Sequence, residues 1–167
     1  MSGSGAPART SELSGLRIAV VAASWHEDVM TGLIAGAENQ AKKQNVSTHL
    51  FRVPGSFELP IVAMRAATSD FDAVVALGVI VRGGTPHFDY VCQAATDGLS
   101  HVALTTGVPV GFGVLTCDDL DQALDRAGLP GSSEDKGGEA LASVVSTLET
   151  LRDIGAGRRP YAGFTPS

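Results

Sequence analysis

The stretch Arg82-Gly83-Gly84-Thr85-Pro86-His87 carries the residue types with the most chemical reach: two adjacent glycines, a hydroxyl and an imidazole, directly after an apolar run. Glycines let backbone amides close on a ligand, and amides near a helix N-terminus hold phosphate. An imidazole at the mouth of such a loop exchanges protons near neutral pH. The same residues read equally well as a tight turn followed by a helix-capping histidine. A second loop, Gly55-Ser56-Phe57-Glu58, offers free amides, a hydroxyl and a carboxylate. That carboxylate suits hydrogen bonds from a polyol, or complements the positive end of a helix. Trp25, the only tryptophan, follows the first apolar run. Its indole can stack on a flat heterocycle or pack into the core.

Other chemistries find no support in the residues. There is no G-x-x-x-x-G-K-[ST], no G-x-G-x-x-G after the first apolar run and no G-x-S-x-G. His26, His49, His87 and His101 lack paired metal-ligand spacing, and His49 and His101 read as surface positions. Cys92 and Cys117 lie far apart with no CxxC, so no metal site or disulfide framework is indicated and a reducing cytoplasm is expected. Twelve basic against eighteen acidic residues give a net charge of −6, which offers no footprint for nucleic acid. No apolar run approaches the roughly 18 residues of a membrane span, and the N-terminus lacks the apolar core of a secretory signal.

The elements that must position these loops alternate in type. With 167 residues, 44% hydrophobic and 18% charged, the chain suits one well-buried domain. Continuous apolar runs at 17–23 and 73–81 predict parallel strands covered on both faces, and shorter strands are predicted at 49–53 and 108–115. Helical spacing predicts helices at 27–44, 57–67, 88–104, 118–127 and 136–154, with Pro60 tolerable because it falls in a first turn. Right-handed crossovers then give a three-layer α/β/α sandwich around a four-stranded parallel sheet. Ligands bind such sheets where strands end and loops turn into helices, which is where the loops above fall. Residues 1–15 read as a flexible N-terminal arm, 16–155 as the domain and 156–167 as a flexible C-terminal tail.

Taken together, the fragments carry a resemblance. Ser24-Trp25, Gly55-Ser56-Phe57-Glu58, the run Gly83 to Val91, the run Gly111 to Thr116, Asp125-Arg126-Ala127-Gly128 and Asp135-Lys136-Gly137 occur in an order and at separations similar to those of lumazine synthases. The resemblance spans nearly everything outside the two tails. It implies a flavodoxin-like fold and the penultimate step of riboflavin biosynthesis: 5-amino-6-(D-ribitylamino)uracil and 3,4-dihydroxy-2-butanone 4-phosphate give 6,7-dimethyl-8-ribityllumazine, with neither metal nor organic cofactor. It implies His87 as the proton-transfer residue and Trp25 stacked on the pyrimidine. Ser56, Phe57 and Glu58 would fix the ribityl chain and heterocycle, and Val79, Ile80 and Val81 would line the pocket. Gly84 and Thr85 would contact phosphate, and Arg126 would supply its counter-charge. Lys136 would contact the ring and Phe112 would close the pocket, from an adjacent subunit. His26 departs from the Asn that many relatives carry there.

The resemblance further implies a cytoplasmic homopentamer with active sites between subunits, an arm that adds a strand to a neighbour's sheet, and room for a riboflavin synthase as partner. A carrier of a riboflavin-like ligand would not need His87, Arg126 and Lys136 together, whereas a purely structural shell protein is told apart by an activity assay. The linker from Gly128 to Asp135 contains Pro130 and is longer than the turn associated with shell-forming relatives, so a pentamer is expected ahead of a decamer, and a shell last.

Overall fold

The computed structural model describes residues 15–157. The arm, except Gly15, and the tail, except Ala156 and Gly157, lie outside the described residues, as does the strand expected from the arm. In chain order the elements are β1 (Arg17–Ala23), α1 (Glu27–Gln44), β2 (Ser47–Val53), a 3-10 turn (Ser56–Glu58), α2 (Leu59–Ala67), β3 (Ala73–Val81), α3 (His87–Thr106), β4 (Val110–Cys117), α4 (Leu120–Asp125) and α5 (Lys136–Gly155). The strands form one parallel sheet in the order β2-β1-β3-β4. Helices on both faces complete the expected α/β/α sandwich of flavodoxin-like type.

Alternation along the central strands divides the core in two. Ile18, Val20, Val75 and Leu77 face Val29, Met30 and Leu33 of α1 and Leu141, Val144 and Val145 of α5. Ala19, Val21, Val74 and Ala76 face Leu59 and Ala63 of α2 and Ala95, Leu99 and Val102 of α3. Burial of each large side chain stabilises the fold by about 1.5–3 kcal/mol. With β1 and β3 central and covered on both faces, their sequences can be apolar throughout, which is why they are conspicuous as runs.

Edges and ends depart from the sequence reading for identifiable reasons. The edge strand β2 begins at Ser47, two residues before its expected start, because Ser47 N–H donates to Leu16 C=O at 2.9 Å despite its polar side chain. Strand β4 runs two residues later than expected. Pro109 has no N–H to give the ladder, although its carbonyl accepts from Val74 N–H at 2.9 Å. The expected helix at 57–67 splits into the 3-10 turn and α2, with Pro60 in the first helical turn. Asp119 caps α4 by accepting from Gln122 N–H at 2.8 Å, so Asp118 stays outside the helix.

Small residues let α1 and α5 cross closely. A Cβ at Gly137 would collide with the Leu33 carbonyl, one at Gly32 with the Ala127 carbonyl, and one at Gly36 with the Asp135 carboxylate. That carboxylate caps α5, accepting from Gly138 N–H at 2.9 Å.

Candidate functional site

Strand ends β1, β2 and β3 open onto one cavity of about 360 Å³. Ser24 fastens the first two ends: its hydroxyl donates to Val53 C=O at 2.8 Å and its N–H to Pro54 C=O at 3.3 Å. Trp25 follows and stands 68% exposed, so its indole is a wall of the cavity and not a core residue. His26 then turns the chain into α1 with φ 59° and ψ 61°, the left-handed region. Histidine is among the residues over-represented in that region, so His26 can hold this turn.

The Gly55–Glu58 loop forms the opposite wall. Glu58 Oε2 accepts from Gly55 N–H at 3.0 Å, which holds the carboxylate at the cavity. Ser56 is 6% exposed and its Oγ finds no hydrogen-bond partner among the described residues. It packs against Gly78 of β3, where a Cβ would lie 2.5 Å from that oxygen. Phe57 is 64% exposed at the rim. Val79, Ile80 and Val81 supply an apolar floor, and His87, first residue of α3, stands at the mouth.

Gly84 and Thr85 are exposed in the loop before His87 and do not line this cavity. Among the described residues, a Cβ at Gly83 or Gly84 would meet no atom within 4 Å, so their packing does not require glycine there. The loop is fastened by Arg82, a residue to which sequence reasoning assigned no role. Its Nε donates to Asp118 Oδ1 at 2.8 Å, its NH1 lies 3.6 Å from Asp89, and its guanidinium sits 4.3 Å above the Phe88 ring. Arg82 N–H also donates to Cys117 C=O at 2.9 Å. Asp118 raises the pKa of the guanidinium further. Asp118 lies 36 positions away, so no local signal in the sequence could have exposed this anchor.

Phe112, Arg126 and Lys136 do not join this group. They line a second cavity of about 200 Å³ beside the end of β4. The segment between the two cations closes on itself: Lys136 N–H donates to Arg126 C=O at 3.1 Å, and Ala127 and Asp135 form an antiparallel bridge. Arg126 NH1 donates to Gln122 C=O at 2.9 Å. Lys136 Nζ is ion-paired with Glu134 and, at 2.8 Å, with Glu139. These carboxylates raise its pKa, which keeps it a cation and unsuited to act as a base or a nucleophilic amine. One chain therefore presents two separate clusters: an aromatic and apolar slot with a carboxylate and an imidazole, and a shelf of two carboxylate-paired cations with an exposed phenyl ring.

Among the described residues, no three His, Cys, Asp or Glu side chains gather as a metal site. No described helix is long and apolar enough to cross a membrane.

Residues 15–152 match the family model described as 6,7-dimethyl-8-ribityllumazine synthase. Proteins of that name are similar over almost their full length. The one from Nocardioides sp. is 60% identical over 157 residues, covering 93% of this chain and 98% of the relative. The one from Paenarthrobacter aurescens is 59% identical over 161 residues, with 92% and 99% covered. That from Streptomyces coelicolor is 58% identical over 156 residues, with 92% and 97% covered.

Proposed function

Because this chain belongs to the 6,7-dimethyl-8-ribityllumazine synthase family, and is thus a transferase of riboflavin biosynthesis, we propose that its two clusters combine across a subunit boundary into one site. That site condenses 5-amino-6-(D-ribitylamino)uracil with 3,4-dihydroxy-2-butanone 4-phosphate. The observation that carries this reading is the separation itself. His87 and Trp25 line one cavity, and Phe112, Arg126 and Lys136 line another.

The pyrimidine occupies the larger cavity, stacked on Trp25 over the Val79–Val81 floor. Backbone groups of Ser56 and Phe57 and the Glu58 carboxylate hold the ring and ribityl hydroxyls. Arg126 of the neighbouring subunit takes the phosphate together with the amides and hydroxyl of Gly84 and Thr85. Lys136 of that neighbour meets the ring and Phe112 closes the slot. The pyrimidine amine attacks the ketone and loses water to form an imine. A proton then leaves the carbon next to it and phosphate departs. The ribityl nitrogen closes the second ring with loss of another water. His87 moves protons in these steps, and Arg126 stabilises the dianionic leaving group. Holding two substrates together supplies much of the rate, since the amine is already nucleophilic.

Exposed apolar surface supports assembly. Phe57, Ile61, Tyr90 and Leu104 are each more than 60% exposed on or beside α2 and α3. A second apolar groove of about 500 Å³ runs between those helices. Surface of this kind marks a subunit contact. A cyclic pentamer closes each slot with the next subunit's shelf. Free thiols at Cys92 and Cys117 suit the reducing cytoplasm, and a riboflavin synthase is the partner class that consumes the product.

Incubation with both substrates, followed by lumazine absorbance, tests the reaction. Mixing tests the shared site. His87→Ala and Arg126→Ala proteins, each impaired alone, should regain activity when unfolded and refolded together, because some boundaries then pair two intact halves. Absence of recovery despite mixed oligomers would refute the shared site.

A further inference from the structure

We propose that Glu134 is a built-in counter-anion of the phosphate clamp, a carboxylate that occupies Arg126 and Lys136 until phosphate displaces it and so sets phosphate affinity and release. The inference rests on the reading of Arg126 as the phosphate's counter-charge.

The Glu134 carboxylate lies between the two cations. Its Oε1 is 3.8 Å from Arg126 Nε and its Oε2 is ion-paired with Lys136 Nζ. Glu139 adds a second carboxylate, 2.8 Å from Lys136 Nζ. Two cations thus face two carboxylates, and an arriving phosphate dianion finds no net positive charge. The backbone fixes Glu134 on both sides, with Gly128 N–H donating to its carbonyl at 2.9 Å and its own N–H donating to Asp125 C=O at 3.1 Å.

Arg126 does not depend on this carboxylate for its aim, because NH1 is held by the Gln122 carbonyl at 2.9 Å. The contact is also displaceable. The Arg126 and Glu134 side chains are 38% and 35% exposed, so water and an incoming anion can reach it. Glu134 therefore competes with phosphate and does not orient the clamp. A site that must expel phosphate in every cycle gains from such a competitor, since tight product binding would slow release.

The probe is inorganic phosphate as an inhibitor, read beside the KM of each substrate. In Glu134→Gln, phosphate should inhibit about two- to fivefold more tightly, the size expected when a partly exposed charge contact is removed. The KM for the butanone phosphate should fall in parallel while that for the pyrimidine stays put. Glu134→Asp, which keeps the charge, should remain close to the native protein. Glu134→Ala keeps every backbone bond of the loop and serves as a second neutral variant should the amide fail to fold. Unchanged or weaker phosphate inhibition in the neutral variants overturns the proposal, as does Glu134→Asp tightening as much as Glu134→Gln. Arg126→Ala separates the two readings. If it leaves phosphate inhibition intact, the clamp assignment fails. If it abolishes inhibition and Glu134→Gln does not tighten it, only the counter-anion fails.

Discussion

Gly78→Ala should loosen the pyrimidine slot from beneath, and Ser56→Ala should rescue it. Gly78 pairs with Val114 in the sheet and faces the 3-10 turn. The added methyl would sit 2.5 Å from Ser56 Oγ, nearly an ångström inside the 3.4 Å at which ordinary contact begins, and 3.1 Å from Leu59 Cδ1. Overpacking of this kind costs about 1–3 kcal/mol. The methyl recovers up to about 0.8 kcal/mol through burial. A net loss of roughly 1–2 kcal/mol follows, with the Ser56–Glu58 turn pushed off the sheet and the pyrimidine KM raised. Ser56→Ala removes the colliding oxygen, which is buried with no partner among the described residues, so alone it should be neutral or stabilising. In the double variant the nearest remaining Ser56 atom, Cβ, is 3.5 Å away, and most of the loss should return. Urea denaturation of all four proteins gives the coupling, expected at about 1 kcal/mol or more. If Gly78→Ala is as stable as the native chain, or if Ser56→Ala does not restore it, the packing argument is wrong.

His87→Ala should lower kcat about a hundredfold without abolishing turnover, and a near-native kcat would remove His87 from proton transfer. Arg126→Ala should weaken the butanone phosphate by roughly 1.5–3 kcal/mol and spare the pyrimidine, and the reverse KM pattern would contradict its role. His26→Val should cost roughly 1–2 kcal/mol in urea denaturation, because a β-branched residue is strained at φ 59°, whereas His26→Asn should be neutral or better. Hydrogen bonds from the Ser133 hydroxyl and N–H depress the Asp125 pKa below its ordinary 3.8. That carboxylate therefore stabilises the fold above the unfolded-state pKa, and the stabilisation is lost as pH falls through the lower folded value. Ser133→Ala should flatten the acid limb of the stability profile there, and an unchanged limb would contradict the linkage.

Much of the scaffold was legible because β3 and β1 beyond Arg17 are buried on both faces, which selects apolar residues there. Ser47 and Thr48 hid the start of β2, since an edge strand is specified by its backbone pairing and not by apolar side chains. The candidate slot was readable wherever it was local: Gly55 to Glu58 and the loop to His87 each lie within a few residues. The relation of Arg126 to His87 was not readable. Order along a chain does not say whether two loops meet in the same copy or in different ones. Arg82 stayed hidden for a related reason, its partner Asp118 being supplied by the next strand's end.

The close glycine crossing gives α1 a role beyond packing. Its first turn follows Trp25 and His26, while Gly32 and Gly36, about 15 Å further along at most, abut the segment that zips Arg126 to Lys136. One rigid rod thus spans the interval between a subunit's slot and its own shelf, and in the proposed ring those two belong to different reaction chambers. Any tilt of the rod would be shared by both chambers it touches, so neighbouring chambers keep common tolerances and errors do not stay local. The ring would behave less like five separate enzymes than like a gear train, in which one mis-set tooth is felt on either side.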